Sequence, residues 1–135
     1  SLLNRIDYID SSSTGNFSDF GDLTVARRIA GACGNRTQGH TAGGVPSLNS
    51  IEKITYATIS NAVDFGDLTG TRAEAAGVAN ATRGVIAGGY SAPARITTMD
   101  YITIATLGNA TSFGTLTQGR SGAAACSDAH GGLGD

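Results

Sequence analysis

A short motif occurs three times in the chain, and this repetition constrains the fold more than any other feature. The motif Phe-Gly-x-Leu-Thr begins at Phe20, Phe65 and Phe113, so successive copies lie 45 and 48 residues apart. Residues of several types that recur in one register indicate a repeat protein, in which each repeat is one unit of supersecondary structure. An asparagine before each motif and an arginine after it recur at the same two steps: Asn16, Asn61, Asn109, Arg27, Arg72 and Arg120.

Each repeat has the length of about four short strands joined by turns. The first strand is expected to be small and apolar, as in residues 29–33, 73–79 and 122–126. The second strand is expected to end at a Gly-Gly pair, as in residues 39–43 and 84–88. We therefore expect the middle of the chain to contain two complete four-stranded units.

The third strand of each unit is expected to centre on a tyrosine. Residues 54–59 alternate around Tyr56, and Tyr8 and Tyr101 recur with steps of 48 and 45. The Gly-Asn and Ser-Asn pairs that follow are typical of hairpin turns, because they tolerate positive φ. The fourth strand then ends at the Phe-Gly motif. Since no amphipathic helical stripe exceeds two turns, the sequence predicts an all-β chain.

Composition restricts the partners that are expected. The chain has 135 residues, a formal net charge of −2 and a single lysine, so it lacks the basic surface that binds nucleic acid or anionic membranes. No apolar run approaches the roughly 18 residues of a membrane span. We therefore expect neither a nucleic-acid nor a membrane partner.

The two cysteines occupy equivalent repeat positions. Cys33 and Cys126 align with Val78 of the middle unit, so we expect two buried free thiols that behave as small apolar residues. A disulfide, or a metal site shared with a histidine, is the alternative. Because no zinc-type spacing of cysteine and histidine occurs, we predict no metal and no cofactor.

These features resemble the kelch repeat of β-propellers across essentially all of the chain. The kelch order is an arginine, a small-residue strand, a strand ending in Gly-Gly, an aromatic-bearing strand and a tryptophan strand. The matching positions are Arg72, Gly77, Gly88-Gly89, Tyr101 and Phe113. The chain departs from the family by carrying phenylalanine where a kelch unit usually has tryptophan. Its short, Ala/Gly-rich units are also similar in style to degenerate repeats of marine phage and bacterial proteins.

The resemblance implies a β-propeller of four-stranded antiparallel blades. Ala, Gly and Cys suit a first strand that lines a crowded central channel, and the aromatic of the fourth strand suits a wedge between blades. A β-solenoid is the alternative, although its rungs are usually shorter. The propeller model predicts structural roles for the recurring aromatic residues, which are Phe20, Phe65, Phe113, Tyr8, Tyr56 and Tyr101.

About three blades' worth of sequence is present. Residues 1–24 supply the third and fourth strands of a split blade, residues 25–69 and 70–117 are full blades, and residues 118–135 supply a first and part of a second strand. Propellers have about four to eight blades. The chain is therefore either part of a longer polypeptide or completed by other copies. We expect a homodimer, whose two chains together close a ring of six blades. A trimer with nine blades is a less favoured alternative.

The recurring arginines are expected to be structural. We expect Arg27, Arg72 and Arg120 to brace the turn between one blade and the next, bonding carbonyl groups or an acidic neighbour such as Asp22 or Asp67.

Ligand contacts are expected on loops that break the repeat. In a kelch-like propeller one face is formed by residues 45–50, 90–95, 25–28, 70–74 and 118–121. Their polar or aromatic members that do not recur are Tyr90, Arg95, Arg28 and Glu74. The opposite face offers Arg36, Arg83 and His130.

The first functional hypothesis is a non-catalytic module that uses a loop face or channel mouth to recognise a glycan or a peptide. The second is a purely structural repeat, for example an assembly element of a phage particle. A sialidase- or oxidase-like enzyme fragment is the third. We expect no enzyme, because only His40 and His130 could serve as imidazole groups and no catalytic pattern connects them.

Overall fold

The computed structural model describes residues 1–127, and every regular element in this part of the chain is a β-strand. The prediction of an all-β chain is confirmed. Within the same residues no helix is long and apolar enough to cross a membrane. The strands, β1 to β12 in chain order, are Leu3–Tyr8, Ser18–Arg27, Gly31–Gly34, Gln38–Ala42, Ser50–Thr55, Val63–Asp67, Ala76–Ala79, Arg83–Ala87, Tyr90–Ser91, Ala94–Arg95, Thr98–Thr103 and Thr111–Thr115.

All strand pairs are antiparallel. Strands β3, β4, β5 and β6 form a first four-stranded sheet, in which chain neighbours are also sheet neighbours. Strands β7, β8, β11 and β12 form a second sheet with the same order, while β9 and β10 make a small hairpin in the loop between β8 and β11. Strands β1 and β2 form a separate two-stranded hairpin. Meander order follows from short connections, which favour pairing between consecutive strands.

The two four-stranded sheets approach each other most closely along their first strands. A methyl group added at Gly77 in β7 would collide with the carbonyl oxygen of Ala32 in β3, and one at Gly31 would lie 3.3 Å from the Ala75 carbonyl oxygen. Side chains larger than those present would separate these backbones. The small residues of the first strands therefore permit the approach.

The core lies between the sheets. Phe65, Ile51 and Ala42 of the first sheet pack with Ile86 and Ile102 of the second, and Leu68 after β6 completes the cluster. Ile51 and Ile86 are almost fully buried. Each such side chain contributes about 1.5–3 kcal/mol through its removal from water.

The third strand of the first sheet begins and ends earlier than the sequence predicts. Strand β5 covers Ser50–Thr55 rather than residues 54–59, and the chain then turns, with the Thr58 N–H 3.2 Å from the Thr55 carbonyl oxygen. The prediction was wrong because Glu52 is buried at the centre of the strand. An acidic residue at that position hides the strand from a search for apolar alternation.

The shift changes which residues correspond between units. In the pairing registers Tyr8 and Tyr101 occupy one position, and Lys53 occupies it in the first sheet. Tyr56 lies beyond the end of β5, where Ile104 is its counterpart after β11. Tyr56 is therefore not a third member of the tyrosine position, and the steps of 48 and 45 were a coincidence.

Residues 118–127 contain no strand, although the sequence predicts one over residues 122–126. The start of this segment nevertheless bonds to the preceding repeat as the start of the second sheet does. The Gly122 N–H bonds the Glu74 carbonyl oxygen at 2.9 Å, and in the same way the Glu74 N–H bonds the Ile29 carbonyl oxygen at 2.9 Å. A strand requires a partner, and no described residue pairs with residues 122–126. Cys126 is consequently exposed instead of buried, and like Cys33 it is a free thiol.

Candidate functional site

Two loops, one after β4 and one after β8, lie on one face of the molecule, and each is bonded to the chain segment that leads into its own sheet. The Val45 N–H bonds the Arg28 carbonyl oxygen at 2.9 Å, and Ala73 and Tyr90 exchange two backbone bonds of 2.9 and 2.7 Å. A cleft of about 200 Å³ opens there. Its lining residues are Val45, Ser47, Thr71, Arg72, Ala73, Tyr90, Ser91 and Ala92.

Tyr90 and Arg95 are brought together by the small hairpin. They are directly opposite each other in strands β9 and β10. Side chains of directly opposed residues emerge on the same face of a strand pair. Tyr90 lines the cleft and is 40% exposed, whereas Arg95 is exposed outside the lining. The hairpin therefore projects the Tyr90 and Arg95 side chains from the same face of the strand pair, and Tyr90 lines the cleft.

The other two expected ligand residues are not part of the cleft lining. Arg28 is exposed, and its backbone bonds to Val45 hold the neighbouring loop in place. Glu74 is half-buried with φ of 59°, and Ile29 has nearly the same φ of 56° at the corresponding position of the preceding unit. The backbone conformation at Glu74 thus belongs to the repeat and not to a ligand site.

On the opposite face, Arg36 is exposed and the Arg83 guanidinium lies 4.6 Å from the centre of the Tyr101 ring. A cation held over an aromatic face is weakly stabilising. His130 lies outside the described residues.

Arg27 is buried and crosses from the end of β2 to the first sheet. Its guanidinium donates to the carbonyl oxygens of Gly43 at 2.8 Å and Ser50 at 3.1 Å, and it forms an ion pair with Glu52. The backbone N–H of Thr24 donates to the same carboxylate at 2.5 Å. These bonds satisfy a carboxylate that would otherwise be costly to bury.

Arg72 repeats this arrangement between the two four-stranded sheets. Its guanidinium lies 2.8 Å from an Asp100 carboxylate oxygen and 3.2 Å from the Thr98 carbonyl oxygen. The Thr69 N–H and hydroxyl group donate to Asp100 at 3.0 and 2.8 Å. Burial lowers the pKa of Arg72, and the Asp100 carboxylate opposes that shift.

The acidic partners are therefore Glu52 and Asp100, not Asp22 or Asp67. Each arginine reaches the third strand of the four-stranded sheet that follows it in the chain, whereas Asp22 and Asp67 remain exposed. A sequence signal existed, because Glu52 and Asp100 are 48 residues apart, like Phe65 and Phe113. It was missed because a buried acidic residue is not expected inside a strand.

The asparagines before the motif also act between units. The Asn61 side-chain oxygen accepts the Asp22 N–H at 3.0 Å, and the Asn109 side-chain oxygen accepts the Asp67 N–H at 3.0 Å. Neither asparagine has a positive φ. Their role is side-chain hydrogen bonding and not the hairpin conformation that the sequence suggested.

The recurring phenylalanines divide into two environments. Phe20 and Phe65 are buried, whereas Phe113 is 48% exposed. Tyr8 packs edge-on against Phe20 and Tyr101 against Phe113, with ring centroids 6.0 and 6.1 Å apart. The ring that packs edge-on against Phe65 is instead His40, at 4.7 Å.

An open pocket of about 240 Å³ lies between the β1–β2 hairpin and the first sheet, and Cys33 and His40 contribute to its lining. His40 is 2% exposed and neither ring nitrogen has a hydrogen-bond partner. Burial, and secondarily the Lys53 charge, lowers the pKa of His40 to about 4. Burial raises the pKa of the Cys33 thiol to about 11. At neutral pH both side chains are therefore uncharged.

Within residues 1–127 no group of three or more His, Cys, Asp or Glu side chains is arranged to hold a metal ion. Comparison with models of known protein families gives no match to this chain, and a search of curated proteins finds no similar sequence.

Proposed function

We propose that the chain is a non-catalytic recognition module built of kelch-like propeller repeats, and that its loop face holds the ligand. The observation that carries this proposal is the pairing of Tyr90 and Arg95 beside a cleft of about 200 Å³. Of the four non-recurring candidate residues, Tyr90 and Arg95 are the two that a strand pairing places directly opposite each other.

The two side chains favour a ligand that combines a flat or apolar face with an acidic group. The Tyr90 ring offers a surface on which a sugar ring or an apolar side chain packs. The Arg95 guanidinium offers paired donors to a carboxylate. An acidic glycan or the carboxylate of a peptide has this combination, and the small cleft accommodates only the end of such a ligand.

Repeated contacts between units support the propeller architecture. The β1–β2 hairpin and the two four-stranded sheets are joined in succession by equivalent arginine, threonine and asparagine contacts. Applied repeatedly, one contact geometry generates either a ring or an open array. We propose a ring of six units formed by two copies of the chain.

Binding to arrays of acidic glycans and of peptides with free carboxyl termini tests the ligand proposal. We expect retention of one probe class, with Tyr90→Ala and Arg95→Ala each weakening binding at least about tenfold. Arg36→Ala, on the opposite face, is the matched control and should bind normally. Retention of no probe, or equal binding by Tyr90→Ala and the unaltered protein, would favour the purely structural role.

A further inference from the structure

The contacts between successive units form one repeated set. At the junction between the two four-stranded sheets, Arg72 and Thr69 bind the Asp100 carboxylate, and the Asp67 N–H binds Asn109. The junction before it uses the corresponding positions: Arg27, Thr24, Glu52, Asp22 and Asn61. Each junction thus joins donors in or just after the last strand of the hairpin or sheet that comes first in the chain to acceptors on the sheet that follows.

The acceptor half of this set also occurs on the β1–β2 hairpin. Asp7, Glu52 and Asp100 occupy the same register position. In each strand the residue before them pairs with the glycine of the Phe-Gly motif, and a β-bulge separates that residue from the acidic one. Asn16 corresponds to the other asparagines by the same steps. Asp7 is exposed and bonds the Arg5 guanidinium at 2.7 Å, and Arg5 is exposed as well.

The donor half of the set occurs at the other end of the described chain. Arg120, Thr117 and Thr115 are exposed, and beside them Phe113 is 48% exposed on the second sheet. A methyl group added at Gly114 would meet only the Met99 side chain, whereas at Gly66 it would collide with the Gly108 carbonyl group. This surface therefore has the shape and donors of a junction, but no neighbouring unit covers it among residues 1–127.

We infer that the β1–β2 hairpin of a second copy of the chain covers this surface, and that Arg120 forms a third arginine–carboxylate junction with Asp7 of that copy. This inference rests on the proposed two-copy ring and specifies its contacts. The Thr117 N–H donates to the same Asp7 carboxylate, and the Thr115 N–H donates to Asn16 of the second copy.

Three observations favour a second copy over an unrelated partner. The exposed donors and acceptors belong to one sequence and match in type and order. Their charges are complementary, a guanidinium on one surface and a carboxylate on the other. The contact also continues an interface that the chain already makes twice. Two copies related by a two-fold axis would use both surfaces of each copy.

The first test is the mass of the particle in solution, measured by sedimentation over a range of concentrations. We expect twice the chain mass of 13.5 kDa. Arg120→Ala and Asp7→Ala should each raise the dissociation constant at least about 30-fold, because each leaves an unpaired charge at a desolvated contact. Arg36→Ala and Asp64→Ala change exposed charges outside the junctions and should dimerise normally.

The second test shows whether the contact joins different copies. Mixing Asp7→Ala with Arg120→Ala creates a mixed dimer with one intact junction and one junction that lacks both charges. Each unmixed dimer instead has two junctions with an unpaired charge. Differently tagged chains should therefore form more mixed dimers than the statistical half.

The outcomes separate the proposals. If the unaltered chain remains a monomer at every concentration, both the ring and the Arg120–Asp7 contact are overturned. The proposed ligand binding at Tyr90 is then still decided by the binding assay. A dimer that neither variant weakens, or statistical mixing of the two variants, overturns the contact alone. Selective mixing together with weakened variants establishes it.

Discussion

Arg72 and Arg120 occupy the same position of the repeat and have opposite environments. Arg72 is buried and bonds Asp100 and the Thr98 carbonyl group, whereas Arg120 is exposed. The carbonyl oxygens of both residues nevertheless accept the N–H of a glycine in the preceding Gly-Gly pair, at 2.7 and 2.8 Å. The backbone position of each arginine is thus held by the preceding sheet, whereas the environment of its side chain depends on whether a following sheet covers it. The difference between the two arginine environments is tested at the lowest measurable protein concentration, at which the chains are separated.

The largest effect is expected at the buried carboxylate. Asp100→Ala leaves the Arg72 guanidinium buried without its ionic partner, which should lower the free energy of unfolding by about 3–5 kcal/mol. Denaturant unfolding measures the loss. Asp7→Ala, at the corresponding exposed position, should have a far smaller effect on the separated chain. Equal losses at the two positions would contradict the distinction between covered and open junctions.

Acid should destabilise the first sheet, because His40 in β4 is buried and has a lowered pKa. Its pKa is lowered to about 4, and the unfolded imidazole titrates near 6.5, so between these values protons bind only the unfolded chain. Stability is complete above about pH 6.5 and falls by up to about 1.4 kcal/mol per pH unit as the pH decreases toward 4.

His40→Val is the informative comparison, because Val85 occupies the corresponding position of the second sheet. Unfolding of the two proteins across this range separates the histidine contribution from the carboxylates that both retain. Parallel stability curves would contradict the assignment to His40.

A matched pair of glycines tests the contact of the backbones. Gly66 and Gly114 share a φ of 150°, so alanine introduces the same backbone strain at both positions. Only at Gly66 does the added methyl group collide with the next unit, at the Gly108 carbonyl group. Gly66→Ala should therefore lose about 1–3 kcal/mol more than Gly114→Ala in thermal or denaturant unfolding. Similar losses would mean that the junction can move aside.

The smallest expected effect concerns the asparagines. Asn109→Ala removes the acceptor of the Asp67 N–H and should cost about 0.5–1.5 kcal/mol. Asn16→Ala removes no described bond between units and should be nearly neutral in a separated chain. Hydrogen exchange at the Asp67 amide provides a local readout, and unchanged protection in Asn109→Ala would show that this bond is not stabilising.

The sequence predicted the all-β class because turns, glycine pairs and Phe-Gly motifs are local signals. It did not predict the junctions, because they depend on Glu52 and Asp100, and a buried acid is recognisable only once its arginine is placed beside it. The same buried Glu52 displaced the predicted third strand toward Tyr56. Of the candidate ligand residues, the structure brings Tyr90 and Arg95 together, and their pairing depends on a small hairpin with no strong alternating pattern.

The loop that carries this hairpin also explains the unequal repeat length. The connection from Gly89 to Met99 is longer than that from Gly44 to Ile51, yet Met99 and Ile51 have equivalent partners in their ladders. The extra residues extend outward without shifting the sheet. That tolerance makes the tip between Ser91 and Ala94 a natural place to graft foreign peptides, with display of the insert decoupled from folding of the scaffold.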